Sequence, residues 1–93
     1  MTQRYRAPSS ADYALIPLDM TSALYDRRSG QTHLVAPPVP EILAIMQEGD
    51  VSAVELVARL AAHYDLPAGE DHIASVEARM SELAALGLVE MLP

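Results

Sequence analysis

The order of its patterns constrains this chain more than any single motif. Apolar stretches with strand character occupy residues 13–35, and three helix-period segments follow, closing on Leu86-Gly87-Leu88-Val89. Strands first and helices after, within 93 residues, leaves room for one domain. The hydrophobic fraction of 51% is enough to build a core and sets the chain apart from disordered compositions. With no Phe and no Trp, that core must come from Leu, Val, Ile, Ala, Met and at most four Tyr. A core this small is marginal by itself, so a homodimer or a bound partner would support it.

Residues 1–11 are polar, carry Pro8, Ser9 and Ser10, and are expected to form a flexible N-terminal arm, with the domain running over 12–93. A first strand is expected over 12–18, where Ala14, Ile16 and Leu18 alternate with Tyr13, Leu15 and Pro17; Pro17 has no N–H for a ladder and marks an edge or an end. Second and third strands are expected over 21–26 and 31–35, joined by Arg27-Arg28-Ser29-Gly30. If Asp26 faces Gln31, then Tyr25, Thr32, Ala23 and Leu34 share one face and Leu24, His33 and Val35 the other. Both faces carry apolar residues, and the pattern leaves open which one meets the helices. Ala36-Pro37-Pro38 breaks the third strand, and Val39, Ile42, Leu43 and Met46 repeat at helical spacing over 39–47. Ser52-Ala53-Val54-Glu55 is a capping box, with Val51 and Leu56 placed as a staple. The second helix should bury Ala53, Leu56, Val57, Leu60, Ala61 and Tyr64 and close at residues 65–69. The third, over 71–86, aligns Ile73, Val76, Met80 and Leu83; Gly87 suits a left-handed cap, and a short strand can follow over 88–91.

The net charge of −7 is unevenly spread. Residues 1–47 balance four arginines against four carboxylates, whereas residues 48–93 set Arg59 and Arg79 against nine acids, and there is no lysine. The second and third helical segments look like a helix-turn-helix, but the would-be recognition helix holds Glu70, Asp71, Glu77 and Glu82 against Arg79 alone. Such a balance repels phosphates, so nucleic acid is not expected as a partner. The absence of Cys excludes disulfides and zinc–thiolate sites and fits a cytoplasmic setting. No apolar run follows the N-terminal arginines or approaches a membrane span, so neither a signal peptide nor a membrane partner is expected.

No catalytic constellation is present. The three histidines lack metal-ligand spacing, the acids around Gly69 lack the ligand alternation of a calcium loop, and no phosphate-cradling or nucleophile-elbow motif occurs. The expectation is therefore no enzyme, no metal and no cofactor. Surface histidines and a solvated acidic turn account for these residues, and Met46 is assigned to the core. A non-catalytic route to function remains open at the third strand. If its edge is free, an extended peptide could pair with it and lay apolar anchors between that strand and the third helix.

The run Tyr25-Asp26-Arg27-Arg28-Ser29-Gly30-Gln31-Thr32-His33-Leu34-Val35, with Glu41-Ile42-Leu43, the helix capped at Ser52 and the stretch from Leu83 to Glu90, resembles PqqD-type peptide chaperones, also called RiPP recognition elements. Its hairpin is similar to the branch named the HPr-rel-A system PqqD family. The resemblance spans about residues 12–91 and implies an α+β, winged-helix-like fold: a three-stranded antiparallel sheet followed by a three-helix bundle. It implies binding of the leader of a ribosomally made precursor peptide by strand addition, and its presentation to a modifying enzyme, with an HPr-kinase-related protein as a further partner. Carried over by element, the peptide would contact Gln31, Thr32, His33, Leu34 and Val35 on the strand and Ile73, Val76, Glu77 and Met80 on the helix. The chain departs from the family where Ala36-Pro37-Pro38 replaces the usual polar cap before the first helix. The alternatives are a winged-helix regulator that binds DNA or a protein, and a structural subunit that only dimerises.

Overall fold

The computed structural model describes residues 2–64 and 70–93, with Glu70 and Asp71 described by backbone alone. The expected close of the second helix and the acidic turn around Gly69 lie outside the described residues. The elements in chain order are β1 (Arg4–Arg6), a 3-10 turn (Ser10–Asp12), β2 (Tyr13–Pro17), β3 (Ser22–Asp26), β4 (Gln31–Val35), α1 (Val39–Met46), β5 (Val51–Ser52), α2 (Ala53–Tyr64), α3 (Glu70–Ala85) and β6 (Glu90–Leu92). The strands form two antiparallel sheets, β2-β3-β4 and β5-β1-β6, so the described residues make an α+β fold with three helices.

The meander adopts the register set by its turn. Asp26 pairs with Gln31, Tyr25 with Thr32, Leu24 with His33 and Ala23 with Leu34. Gly30 takes φ +76° and its N–H donates to the Asp26 carbonyl at 2.7 Å, closing the hairpin loop. The inward face is now decided: Leu24 is 1% and Val35 7% exposed, against 73% for Leu34. β2 stops at Pro17 on an edge, as a residue without an amide donor requires.

Residues 4–6, expected within a flexible arm, are a strand. Arg4–Arg6 is the central strand of the second sheet, and Tyr5, 3% exposed, pairs with Val51 on one side and Met91 on the other. Arg4 reaches the Asp50 carboxylate at 3.3 Å and the Glu55 carboxylate, and donates to the Asp50 carbonyl at 2.9 Å. The Gln47 side chain donates to the Pro8 carbonyl at 3.0 Å and to the Tyr13 hydroxyl at 3.1 Å. The segment is held at both ends by residues far along the chain, which local composition does not register.

The capping box forms. The Glu55 N–H donates to Ser52 Oγ at 3.2 Å and the Ser52 N–H to Glu55 Oε1 at 3.3 Å. Glu55 therefore serves two elements: it caps α2 and it holds Arg4 of β1. The expected stripe of α2 is buried at Ala53, Leu56, Val57 and Leu60, but Ala61 is half-buried and Tyr64 is 43% exposed. The last turn of α2 runs past the core, so helical period continues there without burial. α3 ends as anticipated. Gly87 takes φ +76°, its N–H reaches the Ala84 carbonyl at 3.0 Å, and the Leu88 N–H reaches the Leu83 carbonyl at 2.9 Å. This is a Schellman cap, and it folds Leu88 into the core at 2% exposure.

One core joins all of these elements. Ile42 and Leu43 of α1, Val51, Leu56 of α2, Met80 of α3 and Leu24 of β3 are all at or below 1% exposed. Each such side chain contributes roughly 1.5–3 kcal/mol of transfer free energy. Met46 is buried, as expected; Met20 and Met91 are exposed.

Candidate functional site

β4 is an edge strand. The order β2-β3-β4 leaves its far side without a strand neighbour among the described residues. Gln31, Thr32 and Leu34 are exposed, His33 is half-buried on the inner face, and Val35 is buried. The Nε2 of His33 is buried and has no hydrogen-bond partner among the described residues. The strand thus offers one row of backbone groups, with Thr32 and Leu34 rising on its outer side.

The residues expected on α3 are placed differently from one another. Met80 has no exposed surface and Val76 is 8% exposed, so both side chains serve the core and give a ligand almost nothing to touch. Ile73 is half-buried and Glu77 exposed, and both line a cleft of about 280 Å³ with Thr2, Gln3, Tyr5, Ala53 and Val54. That lining belongs to β1 and the start of α2, and no residue of β4 contributes to it. The expected grouping of β4 with this part of α3 is therefore not present as a common wall. Tyr5 lies at the base of this cleft, and burial, with the Glu77 charge adding to it, raises its phenol above the usual tyrosine range.

The hairpin instead meets the far end of α3. Asp26, 5% exposed, accepts from the Arg28 N–H at 3.0 Å and from Arg28 Nε at 3.0 Å. These Arg28 contacts hold the Asp26 carboxyl below the usual carboxylate range. Arg28 then donates through Nη2 to the Gly87 carbonyl at 2.9 Å, which ties the β3–β4 loop to the α3 cap. A cleft of about 430 Å³ opens beside this link, lined by Arg6, Pro8, Ser9, Arg28, Val89 and Glu90. Arg6 faces Glu90 at 3.8 Å and Arg28 is held by Asp26, so both guanidinium groups already have a carboxylate. The Arg28 link was missed by the sequence reading. Its local half was available, because an Asp that captures the amide two residues on is a turn signal.

A second groove of about 430 Å³ lies between Pro37, Pro38, Glu41 and Tyr64, and Glu41 Oε2 is buried with no hydrogen-bond donor among the described residues. Glu55 is lowered in pKa chiefly by the Arg4 hydrogen bond and next by the Ser52 amide, which marks it as a structural carboxylate. Among the described residues no three His, Asp or Glu side chains group as metal ligands, and no helix is long and apolar enough to cross a membrane.

No protein-family profile, curated protein or solved structure matches this chain. What the fold and the site define is a class: a small α+β domain with a free sheet edge.

Proposed function

We propose that this chain is a non-catalytic peptide-binding adaptor. An extended segment, the leader of a ribosomally made precursor peptide, adds to the outer edge of β4, and the domain presents it to a modifying enzyme. The observation that carries this reading is the position of β4: a terminal strand, in a register fixed by its hairpin, with an exposed apolar residue at Leu34. Main-chain pairing supplies affinity in such an arrangement, and side chains on alternate positions supply choice. Thr32 and Leu34 on the outer side and the half-buried His33 on the inner side are the chain's own contacts for that choice. Val35, Val76 and Met80 are buried in the core and support the fold rather than touch the peptide, and Ile73 and Glu77 contribute only to a peptide long enough to reach the β1 side. The resemblance to PqqD-type chaperones supports the same reading.

The helix–strand–helix–helix–strand order of α1, β5, α2, α3 and β6 is the order of a winged helix, which keeps a regulator as the second reading. The acidic balance of α3 favours a protein over a duplex as the regulator's partner.

The test is an NMR titration of the isotope-labelled chain with synthetic peptides from short open reading frames adjoining its own. Saturable shifts along Gln31–Val35 support the proposal. N-methylation of alternate peptide residues should then abolish binding with a period of two, because ladder hydrogen bonds alternate. Binding that tolerates N-methylation at every position, or shifts confined to residues outside β4, refutes strand addition.

A further inference from the structure

The sheet β2-β3-β4 has an outer face that no element among the described residues covers. Its rows follow from the register: Ala14, Tyr25 and Thr32 form one, Ile16, Ala23 and Leu34 the next, and Leu18 and Thr21 close it through the 2.8 Å bond between the Leu18 N–H and the Thr21 carbonyl. No charged residue stands on these rows. Ile16 is 55%, Leu18 51%, Tyr25 39% and Leu34 73% exposed, and Met20 in the adjoining turn is 83% exposed. Together they expose on the order of 600 Å² of mostly apolar surface, a size at which such patches mark interaction sites and which approaches the ~800 Å² per partner of a standard interface.

We infer that this face is the interface of a homodimer, in which two copies stack sheet on sheet about a two-fold axis perpendicular to the strands. Charge selects this occupant and this orientation. The first half of the chain is neutral and the rows of the face carry no charge, so the face can meet its own copy without setting the acids of α3 on it. At the hairpin end of the face stands Arg27, which donates to the Ala11 carbonyl at 3.0 Å and has no carboxylate within ion-pair distance among the described residues. At the opposite end stands Asp19, exposed and likewise without an ion pair among the described residues. Five residues of strand separate the two ends, roughly 17 Å. Stacking with strands antiparallel lays the Arg27 end of each copy over the Asp19 end of the other, twice by symmetry. Stacking with strands parallel would lay like ends together. Sheet-on-sheet packing at ~10 Å leaves the backbone edge of β4 at the rim but turns Thr32 and Leu34 into the dimer, so the dimer does not rest on the peptide-binding proposal and competes with a peptide for those two side chains.

Sedimentation equilibrium of the full chain, without any peptide, tests it from about 1 μM to about 500 μM. The wild type should pass from monomer to dimer within that range. Leu34→Glu should weaken the dimer at least about tenfold, because it buries a charge on the two-fold face. Leu34 is exposed, so the variant should keep the wild-type circular dichroism and urea midpoint. Arg27→Asp and Asp19→Arg should each weaken association, and the double exchange R27D/D19R should restore it. A single monomer mass over the whole range overturns the inference. So does a dimer indifferent to Leu34→Glu. A double exchange that binds no tighter than either single variant overturns the antiparallel arrangement, and with it the charge argument that selects a second copy.

Discussion

Replacing Tyr5 with alanine tests whether the N-terminal segment belongs to the fold. Tyr5 is 3% exposed, pairs with Val51 and Met91 at once, and belongs to the same core cluster as Leu24 and Met80. Truncating a buried aromatic side chain to alanine costs about 3–5 kcal/mol. A domain of this length is stable by only about 5–14 kcal/mol, at ~0.05–0.15 kcal/mol per residue, so the loss is at least a fifth of the total and, towards the lower end of stability, nearly all of it. Urea unfolding followed by far-UV circular dichroism should move its midpoint down by roughly 2–5 M for a slope of about 1–1.5 kcal/mol per M. Tyr5→Phe keeps the ring and should cost less than about 1 kcal/mol. A loose arm predicts no change in either variant. If Tyr5→Ala shifts stability by under about 1 kcal/mol with an unaltered slope, Tyr5 does not hold β1 in the core, and the central position of that strand is wrong.

Other consequences can be checked independently. Ser52→Ala removes the acceptor for the Glu55 amide and should cost about 1 kcal/mol in urea unfolding, within the ~0.5–2 kcal/mol range of cap deletions. Gly87→Ala meets no atom within 4 Å but must hold φ +76°, so it should destabilise by about 1–2 kcal/mol through backbone strain alone. Asp26 has a folded pKa below its unfolded value, so its contribution is present above the ordinary aspartate pKa near ~3.9 and is lost as pH falls through the folded value. Asp26→Asn should flatten that acid limb of a stability–pH curve. Tyr5 and Tyr13 have folded pKa values raised by burial, so stability is full below the ordinary tyrosine pKa near ~10 and falls as pH rises through the folded values; the Tyr5→Phe variant should unfold less steeply in alkali.

Much of the local structure was legible because its causes are local. The hairpin register follows from a four-residue loop with Gly30, the start of α2 from the Ser52–Glu55 pair, and the end of α3 from Gly87 followed by Leu88. Each depends on groups within a few residues of one another, where chain entropy leaves few alternatives. β4 was placed at its observed ends for the same reason, whereas its position at the edge of the sheet was left open by the sequence and came from the tertiary pairing. The candidate site was half legible: its strand could be placed, but its second wall could not. Ile73, Val76, Glu77 and Met80 share a helix, yet Met80 is sealed in the core while Glu77 lines a cleft with β1. Helical period gives the angle between two side chains and says nothing of what stands opposite.

By itself the sequence determined the succession of meander and three helices, the hairpin, the caps and the separation of a neutral first half from an acidic second. Tertiary structure alone decided that Leu24 and Val35 turn inward while Leu34 turns out, that Tyr64 leaves the core, and that Arg4-Tyr5-Arg6 is a central strand. The partners of that strand lie at Val51–Ser52, about half the chain away, and at Glu90–Leu92, nearly its whole length away. Three residues carry too little pattern to announce a strand. Their pairing becomes favourable only after the helices have brought β5 and β6 to either side of Tyr5, because the entropy of closing such long loops is offset by the whole core rather than by any local bond.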